Sequence, residues 1–357
     1  MKSVCVLAIV FAAITSVITA QVSSTAAKAG MDPERLSRIS TRMKQFVETG
    51  TIPGAVTLVA RHGVVVSLDA VGYQDLDTKT PMRTNTIFQI RSMTKSVTAV
   101  AIMILVEEGR LLLSDPVEKH LPEFYGQGMV ESRDANTVLS VKGPSRPPTV
   151  RDLLTSTSGL AQPAVPRMAM SSLDELVGLL AKQPLEFEPG TKWVYSEAAF
   201  LTLGRIVEVV SEDGKLRKVD ADLYPTGARL SNPAFGAHST AADMAAFYQM
   251  MLNGGTYRGR RLLSPAAVRA MTMVHTGNLA AGFSPGKGWG LGWEIAHEPS
   301  GTLSLTSIGT FGHGAASSSY GWVDPTKDLV GVILIMRPGA GEVRDAFMAM
   351  AAAAIID

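Results

Sequence analysis

Between residues 32 and 48, Leu36, Ile39, Met43, Phe46 and Val47 fall on one stripe at helical spacing, with polar residues between them. Asp32 offers a side-chain cap and Pro33 suits the first helical position, so the pattern predicts an amphipathic helix. The period then changes. Residues 55–60 and 64–71 are dense in Val, Ala and Leu, and Arg61-His62-Gly63 between them predicts a β-hairpin. The last third has the same character: 303–308, 318–323 and 329–336 predict strands, and the Ala- and Met-rich 342–356 predicts a closing helix. Helical patterns fill the middle at 92–109, 149–156, 172–182, 197–211 and 240–253. Strands at both ends with helices between predict an α+β fold. Its antiparallel sheet would come from the N- and C-terminal parts, flanked by helices, with a mostly helical lobe at about 110–255. The Gly- and Pro-bearing stretches 142–149 and 280–292 are expected to form no regular element, and the polar 211–236 an irregular one.

The first twenty residues stand apart. Lys2 precedes an unbroken apolar run over 4–14, and Ile18-Thr19-Ala20 before Gln21 resembles a cleavage site. That is the form of a secretory signal peptide cut after Ala20, and the run is short for a bilayer span. A retained membrane anchor is the alternative. Residues 21–357 then form a single catalytic domain, secreted or periplasmic. Cys5 is the only cysteine and lies within the leader, so the mature chain is expected to lack disulfides, a thiolate nucleophile and Cys-ligated zinc.

Charge narrows the partners. Lys and Arg total 33 against 32 Asp and Glu, without a block of like charge, which argues against a nucleic-acid partner or a polybasic membrane anchor. Apolar residues make up 46%, ample for a large core, and the composition fits a small-molecule enzyme. There is no H-E-x-x-H and no phosphate-binding G-x-x-x-x-G-K-[ST], and the six histidines lack metal-ligand spacing. No cofactor or metal is expected.

Ser-x-x-Lys remains. It occurs at Ser92-Met-Thr-Lys95 and Ser284-Pro-Gly-Lys287, where composition alone gives about one hit. The chemistry needs both side chains on one helical face, which Pro285-Gly286 forbids at the second copy. After the first, residues 97–106 are apolar nearly all round and predict a buried helix. Ser92 would sit at the positive end of that helix, with Lys95 one turn inside, where burial favours a neutral amine able to act as a base. The competing reading makes Ser92 a plain helix cap and lets Lys95 reach out to solvent.

The segment Phe88-Gln-Ile-Arg-Ser92-Met-Thr-Lys95 resembles the nucleophile segment of serine β-lactamase-fold hydrolases. Among them it is most similar to class C β-lactamases, D-Ala-D-Ala carboxypeptidases and related esterases. Further segments agree in order: Thr149 to Leu160, ending Thr-Ser-Gly-Leu; Trp193-Val-Tyr195-Ser-Glu197; Ser239 to Met244; Gly288-Trp-Gly-Leu-Gly-Trp293; and Phe311-Gly-His313-Gly-Ala315-Ala316. The resemblance runs from about residue 32 to the end and implies a β-lactamase/transpeptidase-like fold. It also implies Ser92 as acyl-accepting nucleophile and Lys95 with Tyr195 as its base. His313, Gly314 and Ala315 take the place of the third, substrate-binding motif. The backbone N–H groups of Ser92 and Ala316 take that of the oxyanion hole.

Four features depart from the family pattern. Glu197 replaces an amide donor by a carboxylate, Ala315 replaces a glycine, Ser156 stands where relatives often carry His, and 211–235 is short. His313 in place of a permanent cation and Glu197 in place of an amide both weaken recognition of an anionic amide-bearing substrate. The expected activity is a carboxylesterase on small esters. The alternatives are β-lactam or D-Ala-D-Ala peptide hydrolysis, and, in another class, an inactive relative that binds cell-wall peptide or a protein.

Overall fold

The computed structural model describes residues 24–135, 137–163, 172–211, 232–298 and 305–356. The expected leader, and all but the ends of the expected irregular segment 211–236, lie outside them. Helix α1 (Pro33–Glu48) starts as its sequence dictates: the Asp32 carboxylate accepts from the Glu34 and Arg35 amides, with Pro33 at the first position. Strands β1 (Gly54–Arg61) and β2 (Val64–Asp75) form the predicted hairpin through His62-Gly63, and the two-residue β3 (Thr80–Pro81) extends it. Next come α2 (Thr94–Glu107), α3 (Val150–Leu154), α4 (Leu173–Ala181), α5 (Glu197–Ser211) and α6 (Ala241–Leu252). The chain then completes its sheet with β4 (Lys287–Trp289), β5 (Glu294–Ala296), β6 (Phe311–Gly314), β7 (Ser318–Asp324) and β8 (Leu329–Met336), and ends in α7 (Gly341–Ala353).

The sheet has eight strands in the order β4-β5-β6-β7-β8-β1-β2-β3, each pair antiparallel. β1 against β8 joins the two ends of the chain, in the register Ala55↔Ile335 to Arg61↔Leu329. Every residue of β1 is buried, because both faces are covered. Side-chain alternation sorts its residues between two cores. Val56, Leu58 and Ala60, with Val330, Val332 and Leu334 of β8, face α2 and α6. Ala55 and Val59, with Leu329, Ile333 and Ile335, face α1 and α7. At about 25 cal/mol per Å² of apolar surface, this double burial is the main stabilising term of the sheet.

Two strand expectations are corrected. Residues 305–308 form a turn with Leu305 and Ile308 exposed, and 303–304 lie outside the described residues. β5 pairs directly with β6 at Glu294↔Gly312, with no strand between them among the described residues. Within 280–292, expected to be irregular throughout, Lys287–Trp289 is the edge strand of the sheet: Gly288 lies in the ladder opposite Ile295, and partner backbone outweighs local propensity. A hairpin of Met129–Asp134 and Thr137–Lys142 was not anticipated; its exposed, polar pattern carries no core signal.

Candidate active site

The nucleophile segment is held by distant parts of the chain. Phe88–Gln89 pairs with His238–Ser239, and the Ile90 amide donates to the Ala237 carbonyl. Arg91 then adopts φ +50° and opens a single 3₁₀ turn over Arg91–Met93 that presents Ser92 ahead of α2. A residue with a side chain at positive φ stores strain, and such sites cluster where geometry matters more than stability. Lys95 lies one turn on and is 1% exposed, so it does not reach out to solvent. Its Nζ stands 3.5 Å from Ser92 Oγ, the long end of a hydrogen bond, and 2.9 Å from the Ala234 carbonyl it donates to. The same nitrogen lies 4.8 Å from the centre of the Tyr195 ring.

The rest of α2 is tied down as well. Thr98 Oγ1 donates to the Pro233 carbonyl and Ser96 Oγ to the Gly292 carbonyl. Gly292 sits at φ +79°, and a Cβ there would come to 2.5 Å of the Ala99 Cβ, so only glycine lets the loop press against the nucleophile helix.

Tyr195 precedes α5, whose cap is Ser196: its Oγ accepts from the Ala199 amide at 3.0 Å. The side-chain amide of Gln162 clamps this segment, donating to the Tyr195 carbonyl and accepting from the Glu197 amide. Ser156, at φ +57°, accepts at its carbonyl from Val194, so the stretch ending Thr-Ser-Gly-Leu supports the tyrosine backbone. The Tyr195 ring is wedged among Trp193, Phe283, Trp289 and His313, with centroids 4.9–6.4 Å away. Burial holds its phenol well above the ordinary tyrosine value; a hydrogen bond with Ser92 opposes this, and the Glu197 and Glu294 charges add to it.

His313 lies on β6, fully buried. Nδ1 stands 2.7 Å from the Gly314 carbonyl oxygen, which only accepts, so this nitrogen carries the proton. Nε2 is then the acceptor, and it has no partner among the described residues. Burial, reinforced by the Lys95 charge, pushes the imidazole down to about 4, against a smaller opposing pull from Gly314 and Glu294. The ring is neutral at physiological pH.

Ser92, Tyr195, His313, Gly314, Ala315 and Ala316 line one cavity of about 490 Å³. Lys95 reaches Ser92 from within the core, and Glu197 is not among the lining residues. The cavity also takes in residues that sequence reasoning left out. Lys287 and Glu294 form a buried ion pair at 2.9 Å, and Tyr320 donates to the same carboxylate oxygen at 3.2 Å. Burial raises the Glu294 carboxyl, but the Lys287 charge and hydrogen bond outweigh it and keep the group below its ordinary value. The available signal was a glutamate between Trp293 and Ile295, a charge inside an otherwise apolar strand. Among the described residues there is no His, Cys, Asp and Glu group able to hold a metal, and no helix long and apolar enough to cross a membrane.

With this geometry in hand, the family model described as Beta-lactamase matches residues 39–216 and 211–355. The chain belongs to the beta-lactamase family. Protein Rv1367c of Mycobacterium tuberculosis is 30% identical, over 83% of this chain and 88% of its own length. Esterase EstB of Burkholderia gladioli is 34% identical, over 56% of this chain and 54% of its own. Among solved structures, EstCE1, titled a hydrolase with promiscuous acyltransferase activity, superposes with a TM-score of 0.73 at 24% identity, covering 91% of this chain and 99% of that one. Simvastatin synthase (LovD) from Aspergillus terreus gives 0.71 at 19%, covering 90% and 98%, so these two bear on the fold alone. The family, the expected fold and the serine hydrolase class stand together.

Proposed function

We propose that this chain is an exported serine hydrolase that cleaves small carboxylic esters through an acyl-enzyme on Ser92. One observation carries the reading: the Ser92 hydroxyl lies within reach of both the Lys95 amine, at 3.5 Å, and the Tyr195 phenol. A serine is a weak nucleophile until a base takes its proton, and here two candidate groups share that proton. Ser92 Oγ attacks the ester carbonyl as its proton passes to the Lys95–Tyr195 pair. The oxyanion is received by the Ser92 and Ala316 amides, and the proton returns to the leaving alcohol. Water, deprotonated by the same pair, then attacks the acyl-enzyme, and the acid departs with Ser92 restored.

Esters are favoured over β-lactams and D-Ala peptides because the third-motif position holds a neutral imidazole, where an anionic substrate needs a cation. One observation keeps the second reading open: Arg344 borders the cavity, although its Nε donates to Asp345 at 2.8 Å. Lys2, the apolar run 4–14 and the small residue at Ala20 support the export part of this reading.

A fluorophosphonate probe separates an enzyme from a binding protein, with adduct mass mapped to Ser92 as the expected result. p-Nitrophenyl butyrate beside a chromogenic cephalosporin separates the chemistries; ester turnover should exceed cephalosporin turnover by about 100-fold in kcat/KM, roughly 2.7 kcal/mol. An unlabelled serine, or a preference for the cephalosporin, sinks the reading.

A further inference from the structure

The cavity does not end at the face that carries Ser92. β5 starts at Glu294, opposite Gly312, so the β6 backbone from His313 onward has no strand beside it on that side. Register places His313 on the face of Ile295 and Phe311, and Glu294 on the other face with Tyr320. Since Ser92, His313, Glu294, Tyr320 and Arg344 all line one cavity, the space passes around the free end of β6 to the face covered by α7.

The far chamber is polar in a particular way. Lys287 and Glu294 are diagonal neighbours on the β4–β5 ladder, both buried. Glu294 receives Lys287 and Tyr320 on Oε1; among the described residues no hydrogen bond reaches Oε2. Lys287 Nζ has three donors and gives one to this pair. The chamber therefore offers a carboxylate acceptor and ammonium donors a few ångströms apart, and because Arg344 at its wall is paired with Asp345 at 2.8 Å, its charges balance. A substrate ammonium would meet Lys287, and a substrate carboxylate would meet Glu294. A methyl group would leave both polar groups unsatisfied, at the cost that buried unpaired groups carry. A hydroxyl alone of these donates to one and accepts from the other.

The geometry points to a subsite in which Glu294 and Lys287 bind a neutral hydroxyl group borne by the substrate at a distance from its scissile carbonyl. This rests on the ester reading above and narrows it to hydroxylated esters.

The test uses p-nitrophenyl esters of equal length ending in hydroxyl, methyl, ammonium or carboxylate, built on hexanoyl and octanoyl chains. The hydroxyl-ended ester should lead the other three by about 10-fold in kcat/KM at one chain length, since a site made for a hydroxyl strongly rejects its absence. Replacing the pair together, Lys287→Met with Glu294→Leu, exchanges a buried ion pair for apolar side chains, a change that folds tolerate. It should invert the order in favour of the methyl-ended ester. Glu294→Gln provides a milder second variant, with the hydroxyl preference reduced at least threefold. Binding of the same esters to the Ser92→Ala protein, read from quenching of tryptophan fluorescence, reports the preference without turnover. If no ester is cleaved but the hydroxyl-ended one still binds best, the ester reading falls and the subsite stands. If the four ends are equivalent in binding and turnover, or the double replacement leaves their order unchanged, the subsite is overturned.

Discussion

The chain carries Ser-x-x-Lys twice, and both serines border the same cavity. At Ser92 the pattern lies across a 3₁₀ turn and the first turn of α2, which brings Lys95 Nζ to 3.5 Å of the hydroxyl. At Ser284 it crosses a loop with Gly286 at φ +78° and runs into β4, where Lys287 turns to Glu294. Two residue types at one fixed spacing thus yield a candidate catalytic pair in one place and a lysine committed to a buried ion pair in the other. Backbone conformation decides which, because one helical turn places i and i+3 side chains together and a glycine turn does not.

The sharpest way to break this comparison is to delete each serine. Ser92→Ala should reduce ester hydrolysis to background, a loss of at least about 10⁴-fold, with the thermal midpoint within about 2 °C of the parent. Ser284→Ala should stay within about twofold in kcat/KM. Steady-state kinetics and a melting curve on both proteins suffice, and an inactive Ser284→Ala with an active Ser92→Ala would reverse the assignment.

Next in size is the base. Lys95→Ala and Tyr195→Phe should each lower kcat by about 10² or more. Because both act on one proton, the double variant should fall far short of the product of the two losses. Multiplicative losses in a double-mutant cycle would mean separate roles.

The helix-borne copy was legible because its elements are local: a run apolar nearly all round marked α2 as a buried helix, and the Ser-to-Lys spacing needs only that helix. The central strands of the sheet were legible for the same reason, since the continuous apolar runs of β1 and β8 mark burial on both faces without reference to partners. What stayed hidden is non-local. Lys287–Trp289 is a strand only because β5 pairs with it. The Lys287–Glu294–Tyr320 cluster joins three strands whose register no local pattern states. The carbonyls of Pro233 and Ala234, which hold the Thr98 and Lys95 side chains, belong to a stretch read as merely irregular.

A third prediction concerns His313, which lines the same cavity as Ser92, Ser284 and Lys287. Its imidazole is pushed down to about 4 in the fold from 6.5. The unfolded chain therefore binds a proton that the folded chain refuses, and stability falls as pH drops below about 6.5 until the folded group also titrates near 4. Between pH 7.5 and 5 this contributes a loss of about 2 kcal/mol. Urea midpoints across that range should show the loss in the parent protein and a flatter dependence in His313→Gln. Equal slopes in the two proteins would mean that the buried imidazole does not govern this part of the acid response.

The smallest expected effect is at Glu197. Its carboxylate is not the cap of α5, since Ser196 Oγ holds the Ala199 amide, and it does not line the cavity. It acts at one remove, raising the proton affinity of the Tyr195 phenol. The negative charge that the Tyr195 phenol senses should also disfavour a substrate carboxylate docking beside Ser92, because like charges oppose each other. Neutral short-chain esters should be nearly indifferent to it, whereas penicillins and D-Ala-D-Ala peptides should not. Glu197→Asn should therefore raise β-lactam or peptide turnover relative to p-nitrophenyl acetate by about 10-fold, roughly 1.4 kcal/mol of discrimination. An acidic residue in the first helical turn also stabilises the helix dipole, so the same substitution should cost about 0.5 kcal/mol of stability. Measuring both kcat/KM values and the thermal midpoint separates the two roles: a lowered midpoint with an unchanged substrate ratio would leave Glu197 as a helix-dipole residue alone.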